Sequence, residues 1–151
     1  MRASLHFEDY GADFALDTLR RTVTEFDIMQ FVTLAGMNEA LFMDEPYIRE
    51  HTGFGRRIAP GALVFSLAEG LIIQSGILKD TAIAFLSSEM SMKGPVFVGD
   101  TLVNQARFEG KKLASRGDRG VVTTRHSVLQ QDGEPVLEYS AARLIRCRGS
   151  R

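Results

Sequence analysis

The chain has 151 residues, 44% apolar and 25% charged, with a formal net charge of -1, which fits one globular domain able to bury a real core. So small a net charge excludes a global field that would draw the chain to nucleic acid or a membrane surface. Cys147 is the one cysteine; it leaves no internal disulfide and no cysteine-based zinc site, and points to a reducing, cytoplasmic compartment.

In chain order, Met1 to Tyr10 carries Arg2, Glu8 and Asp9 and no apolar run, so it does not read as a signal peptide. A strand ends at Thr22-Val23. A helix follows, with Thr24 as its cap, Asp27 completing a capping box, and Val23 and Ile28 placed as a hydrophobic staple. Ile28, Phe31, Leu34 and Ala35 give that helix one apolar face, and Gly36 ends it. Met37 to Phe42 reads as a loop. Asp44-Glu45-Pro46 opens a short helix through Glu50, ended by Gly53.

Pro60 then starts a second long helix, Ala62 to Ser75, closed by Gly76. It is apolar nearly all round, as expected of a helix buried on most sides. Its apolar run, Ala62 to Ile73, is broken by Ser66, Glu69 and Gly70 and is too short to span a bilayer. Strands are expected at Ile83 to Met92, Thr101 to Glu109, Val121 to Leu129 and Val136 to Cys147. Asp132-Gly133 makes a hairpin turn between the last two. On the third-last strand Leu102, Ala106 and Phe108 face inward and Asn104 breaks the pattern. On the last, Leu137, Tyr139, Ala141, Ile145 and Cys147 share a face. The pattern predicts a single α+β domain over 1–151, an antiparallel sheet wrapped around one long helix.

Three stretches carry a resemblance. Thr22-Val23-Thr24-Glu25-Phe26-Asp27-Ile28, Arg57-Ile58-Ala59-Pro60-Gly61-Ala62-Leu63 and Gly94-Pro95-Val96-Phe97-Val98-Gly99-Asp100-Thr101-Leu102 follow one another as in MaoC-like (R)-specific enoyl-CoA hydratases, which the chain resembles over about residues 20 to 105. The resemblance implies a hotdog fold, acyl-CoA thioester substrates and no cofactor beyond the coenzyme A of the substrate. It also implies a homodimer, or a higher oligomer built from dimers, whose sheets join edge to edge. A further implication is hydration of a 2-enoyl-CoA or the reverse dehydration, which needs a proton-transferring group and a donor to the thioester carbonyl. The family's loop runs Gly-Asp-x-Asn-Pro-x-His and its Asp and His are the acid/base pair. Here the loop is Gly36-Met37-Asn38-Glu39-Ala40-Leu41-Phe42, so Met37 and Phe42 stand at those positions, and Pro60-Gly61 replaces a His-Gly. Asp44 is kept, and Ser66 matches a helix serine that supports the catalytic Asp in the family.

A thioether and a phenyl ring transfer no protons. Glu39 is the candidate replacement base, against a solvated loop carboxylate or a partner of Arg56 or Arg57. Asn38 could orient water, against a turn-forming role. Phe42, Asp44, Pro60, Gly61, Ser87 and Ser88 are candidate substrate contacts, and Arg56, Arg57, Lys93, Lys111 and Lys112 candidate partners of the CoA phosphates. Glu69 is a candidate in a thioesterase reading, against a dimer-interface salt bridge or an exposed helix edge. His51 reads as a helix-end residue, His126 as packed or sheet-surface, and His6 as unremarkable; the three give no metal-ligand spacing. The activity expected is an acyl-CoA hydratase or dehydratase with an altered site. The alternatives are a non-catalytic acyl-CoA-binding subunit, paired with an active homologue, or an acyl-CoA thioesterase.

Overall fold

Thr24 ends the extended entry segment and starts α1 (Glu25–Ala35); the computed structural model describes residues 3–150. The Thr24 hydroxyl accepts from the Asp27 N–H at 3.2 Å, and Asp27 Oδ2 accepts from the Thr24 N–H at 2.9 Å, so two N–H groups that the helix leaves orphaned are satisfied reciprocally. Val23 and Ile28, on either side of the cap, are both buried in one core cluster, as the staple requires. Gly36 closes the helix at φ 69, a left-handed conformation costly for any residue with a Cβ. The buried face is only in part the expected one. Ile28 and Val32 carry it, with Phe31 half-buried, whereas Leu34 is 85% exposed and Ala35 is exposed as well.

Residues 37–42, expected as a loop, run into a single helical turn, α2 (Ala40–Met43), which leads through Asp44 into α3 (Glu45–His51). Pro60 then starts α4 (Gly61–Gln74). Leu63, Val64, Leu67, Ala68, Leu71 and Ile72 of α4 are buried, each large side chain contributing about 1.5–3 kcal/mol relative to exposure. The helix is not covered all round, since Ala62, Ser66, Ile73 and Gln74 lie exposed along its other side.

The sheet is antiparallel throughout. Its strands are β1 (Ala15–Asp17), β2 (Arg21–Thr22), β3 (Ala82–Ser87), β4 (Met90–Met92), β5 (Thr101–Leu113), β6 (Arg119–Leu129) and β7 (Pro135–Arg146). The order is β1-β5-β6-β7-β3, with β2 also on β5 and β4 also on β7. The segment expected as one strand over Ile83 to Met92 is therefore two, separated at Ser88 and Glu89, where Glu89 exchanges hydrogen bonds with Ser140 instead of continuing the ladder. The β6–β7 hairpin turns at Asp132-Gly133, with Gly133 at φ 88. Among the described residues β3 pairs with β7 alone, which leaves its other edge unpaired there, and Ile83, Phe85 and Leu86 are exposed beside Met90 and Met92. This arrangement of one long helix against a curved antiparallel sheet is the hotdog fold, the architecture expected from the sequence.

Asn104 does not break the inward pattern of β5. It is fully buried, like Leu102 and Ala106, and donates to the Ala68 carbonyl of α4 at 3.0 Å and to the Tyr139 hydroxyl at 2.8 Å. A buried amide is tolerated because both hydrogens are matched, and it fastens the helix to the sheet. No helix among the described residues is long and apolar enough to cross a membrane.

Candidate active site

The turn between α1 and α3 is built by backbone hydrogen bonds that follow from its sequence. After the left-handed Gly36, the Met37 N–H reaches back to the Val32 carbonyl at 2.9 Å. The Glu39 carbonyl accepts from Phe42 at 2.9 Å and Met43 at 3.0 Å, which makes Glu39 the N-cap of α2. Phe42 thereby turns into the core, where Met37 and Leu41 pack against the same cluster as Leu63 and Val64 of α4. Asn38 and Glu39 stay exposed. Asp44 is committed to structure: its Oδ1 accepts from the Tyr47 N–H at 3.0 Å and caps α3.

Arg57 lies inside this assembly and is 8% exposed. Its guanidinium donates to the Phe42 carbonyl and, at 2.8 Å, to Glu45 Oε1; Met29 Sδ lies 3.0 Å away and Glu25 Oε1 3.4 Å away. The residue is therefore not free for a CoA phosphate, and the carboxylates it meets are Glu25 and Glu45 rather than Glu39.

At the start of α4 the Leu63 and Val64 N–H groups both turn to the Pro60 carbonyl. The N–H groups of Gly61 and Ala62 have no partner among the described residues, and they carry the positive end of the helix dipole. Met92 of β4 closes the other side: a Cβ added at Gly61 would lie 3.3 Å from Met92 Sδ. Met92 does not stand out in the sequence, where Ile83 to Met92 reads as one continuous strand rather than as β3 and β4. Ser66 is exposed and donates to the Ala62 carbonyl at 2.8 Å, within its own helix. Ser87 and Ser88 lie at the β3–β4 turn, four or five residues before Met92. Ser87 is exposed, and the buried Ser88 hydroxyl has no partner among the described residues.

Two hollows flank these elements. Arg56 and Lys93 meet in a polar one of ≈ 360 Å³ with Phe97, Asp100, Gln130 and Gln131. There the Arg56 guanidinium stands 4.1 Å from the Phe97 ring centroid, and Lys93 pairs with Glu138 at 3.5 Å. Lys111 is far from this, over the Phe7 ring and bonded to the Phe7 and Glu8 carbonyls, and Lys112 neighbours it on β5. The second hollow, ≈ 520 Å³ and mostly apolar, lies between α4 and β3 and reaches Glu69 and Arg143.

Glu69 is not an exposed helix edge, and its carboxylate is paired within the chain. Arg143, which the sequence reading did not single out, donates to both its oxygens at 2.6 Å, and the Tyr139 hydroxyl donates to Oε1 at 2.7 Å. Burial, and then the Glu69 charge, drive the Tyr139 hydroxyl far above its ordinary pKa. His126 is packed, as expected. Its ring stacks on Tyr139 with centroids 4.3 Å apart and bonds Thr124 and Asn104. His51 is exposed at the end of α3, its ring 5.0 Å from that of Tyr47, and His6 sits beside Asp9 at the N-terminus. No group of three or more His, Cys, Asp or Glu able to hold a metal occurs among the described residues.

Comparison with known proteins adds the family. The MaoC like domain model matches residues 12–130. Protein MaoC of Klebsiella aerogenes is 31% identical over 114 residues, covering 76% of this chain and 33% of that protein. A beta-methylmalyl-CoA dehydratase of Chloroflexus aurantiacus is 30% identical over 144 residues, covering 94% of this chain and 40% of the relative. The chain thus spans only about a third to two fifths of the length of these relatives. A solved structure named a monoamine oxidase regulatory protein, from Archaeoglobus fulgidus, superposes with a TM-score of 0.86 at 34% identity, covering 97% of both chains.

Proposed function

The chain belongs to the MaoC-like domain family, and from that premise we propose that it is a hydratase or dehydratase of acyl-CoA thioesters with an altered acid/base site. In the proposed reaction the Glu39 carboxylate takes a proton from water, and the resulting hydroxide adds to the β-carbon of a 2-enoyl thioester. The displaced electron pair moves onto the thioester oxygen, which the Gly61 and Ala62 N–H groups hold. The Glu39 carboxyl then returns its proton to the α-carbon. Dehydration is the same path reversed. Met92, beside the Pro60-Gly61 start of α4, supplies apolar surface next to these donors. Arg56 and Lys93, brought together in the polar hollow, are the cations for the CoA phosphates.

One observation carries this reading. Of the two carboxylates in residues 36–44, Asp44 is engaged by the Tyr47 N–H, while the Glu39 carboxylate has no partner among the described residues. The relative named as a beta-methylmalyl-CoA dehydratase supports both the reaction type and the thioester substrate. The thioesterase alternative is weakened, because the Glu69 carboxylate is already held by Arg143 and Tyr139. The open β3 edge, with Ile83, Phe85 and Leu86 exposed, supports joining to a second copy edge to edge.

The test is absorbance change with crotonyl-CoA. Wild type should turn over, and Glu39→Gln should lose most of that rate. The burial of Phe42 at the position of the family's His favours a second reading, a non-catalytic acyl-CoA-binding subunit. Under it the wild type binds crotonyl-CoA, shows no turnover, and co-purifies with an active homologue.

A further inference from the structure

We propose that Arg57 is the positioning residue that holds the 36–44 turn in fixed relation to the start of α4. The proposal rests on the proton-transfer reading of that turn. Arg57 reaches three elements at once. Its guanidinium donates to the Phe42 carbonyl in α2 and to Glu45 at the first position of α3, and it lies against Glu25 and Met29 of α1. Its own backbone is anchored independently of those helices. Two residues on, the Ala59 N–H bonds the Val96 carbonyl at 2.7 Å, and Ile58 bridges Phe97. Four residues on is Gly61, the first N–H of α4.

The turn that carries Glu39 packs on α4 through the apolar side chains of Met37, Leu41 and Phe42, and Arg57 adds a directional, hydrogen-bonded tie between that turn and the segment leading to the N–H groups of Gly61 and Ala62. The other contacts of the turn are local backbone hydrogen bonds and non-directional apolar packing, and at its tip Asn38 and Glu39 are exposed. A planar guanidinium with five donors in a fixed fork suits this task, whereas an ammonium is a point charge on a flexible stem. Removing the fork leaves the Phe42 carbonyl without this donor and two carboxylates without their cation. A proton-transferring group displaced by about an ångström loses about a hundredfold in rate, while remote CoA contacts keep binding in place.

The experiment compares wild type, Arg57→Met, Arg57→Lys and Glu45→Gln by crotonyl-CoA kinetics and by amide hydrogen exchange. Arg57→Met should lower kcat by about a hundredfold with KM nearly unchanged. Amides of residues 37–44 should exchange faster while those of β5, β6 and β7 do not. Arg57→Lys should restore only part of both. If Arg57→Met fails to fold, Glu45→Gln, which keeps an acceptor oxygen but removes the charge of the ion pair at a partly exposed carboxylate, should show the same local exchange increase to a smaller degree. Unchanged exchange in residues 37–44, or an equal increase throughout the sheet, overturns the proposal. A wild type without turnover would sink the enzymatic reading, and the exchange pattern would still decide whether Arg57 orders the turn.

Discussion

Glu69 of the central helix and Arg143 of the last strand, 74 positions apart in the chain, form an ion pair in which both carboxylate oxygens lie 2.6 Å from one guanidinium nitrogen. Their side chains are only 15% and 7% exposed. Breaking such a pair from one side leaves an uncompensated charge in a poorly solvated site. Arg143→Met should therefore destabilise the protein by about 3–5 kcal/mol. A Glu69→Leu, Arg143→Met double variant should recover much of the loss. Denaturant unfolding of the three proteins checks this, and a double variant no more stable than Arg143→Met would refute it.

His126 makes the fold sensitive to mild acid. Burial, and then the nearby Arg143 guanidinium, push its pKa down to about 3, whereas in the unfolded chain it titrates near 6.5. Above pH 6.5 neither state binds the proton and the stability is fully present. As pH falls through 6.5 toward 3 only the unfolded state binds it, and stability declines by about 1.4 kcal/mol per pH unit. Between pH 6.5 and 5 the loss should reach about 2 kcal/mol, before depressed carboxylates such as Asp27 and Asp9 add a loss of the same sign at lower pH. Urea unfolding at these two pH values measures it, and His126→Asn should flatten the dependence.

The same two residues mark how far the sequence could be read. The Thr24–Asp27 capping box, the left-handed Gly36, the Asp44 cap and the Asp132-Gly133 turn were legible because each is settled within a few residues. Arg143 was not, although strand alternation alone puts it on the inner face with Tyr139 and Ile145. A charge there makes sense only once Glu69, from a distant helix, is seen beside it. Asn104 looked like a fault in the pattern for the same reason, since its acceptors are Ala68 and Tyr139. In α1 periodicity allowed more than one face, and packing on the sheet selected Ile28 and Val32 over Leu34. At the site the Glu39 turn was visible in the sequence, but the buried role of Arg57 and the approach of Met92 depend on contacts across segments.

Gly120 is a site where chain approach, not turn geometry, demands glycine. It lies in β6 under the ring of Phe7, and a Cβ there would overlap the Phe7 ring and stand 2.9 Å from the Lys112 carbonyl oxygen. The backbone oxygen is held in the β5 ladder and cannot retreat cheaply. Gly120→Ala should cost about 1–3 kcal/mol by overpacking. A Gly120→Ala, Phe7→Leu variant should relieve only the ring clash and recover part of that. Thermal unfolding compares them, and an unchanged midpoint in Gly120→Ala would overturn the close approach of both Phe7 and the Lys112 carbonyl to this position.

The proposed donor role of the α4 N-terminus can be tested by a substitution that removes one hydrogen and little else. Gly61 occupies the first helical position, where a proline is tolerated because its N–H would bond nothing within the helix. Pro60 before it has φ -54 and ψ 140, the extended conformation that a residue preceding proline adopts. The added Cβ meets only the flexible Met92 side chain, at 3.3 Å. Gly61→Pro should therefore change stability by less than about 1 kcal/mol. If the Gly61 N–H holds the thioester oxygen as charge develops on it, kcat should fall by about a hundred- to a thousandfold. Gly61→Ala, which keeps the N–H and adds the same Cβ, separates crowding from loss of the donor and should retain most of the rate. Equal rates in Gly61→Pro and wild type would remove this N–H from the mechanism and leave Ala62 as the donor at that helix end.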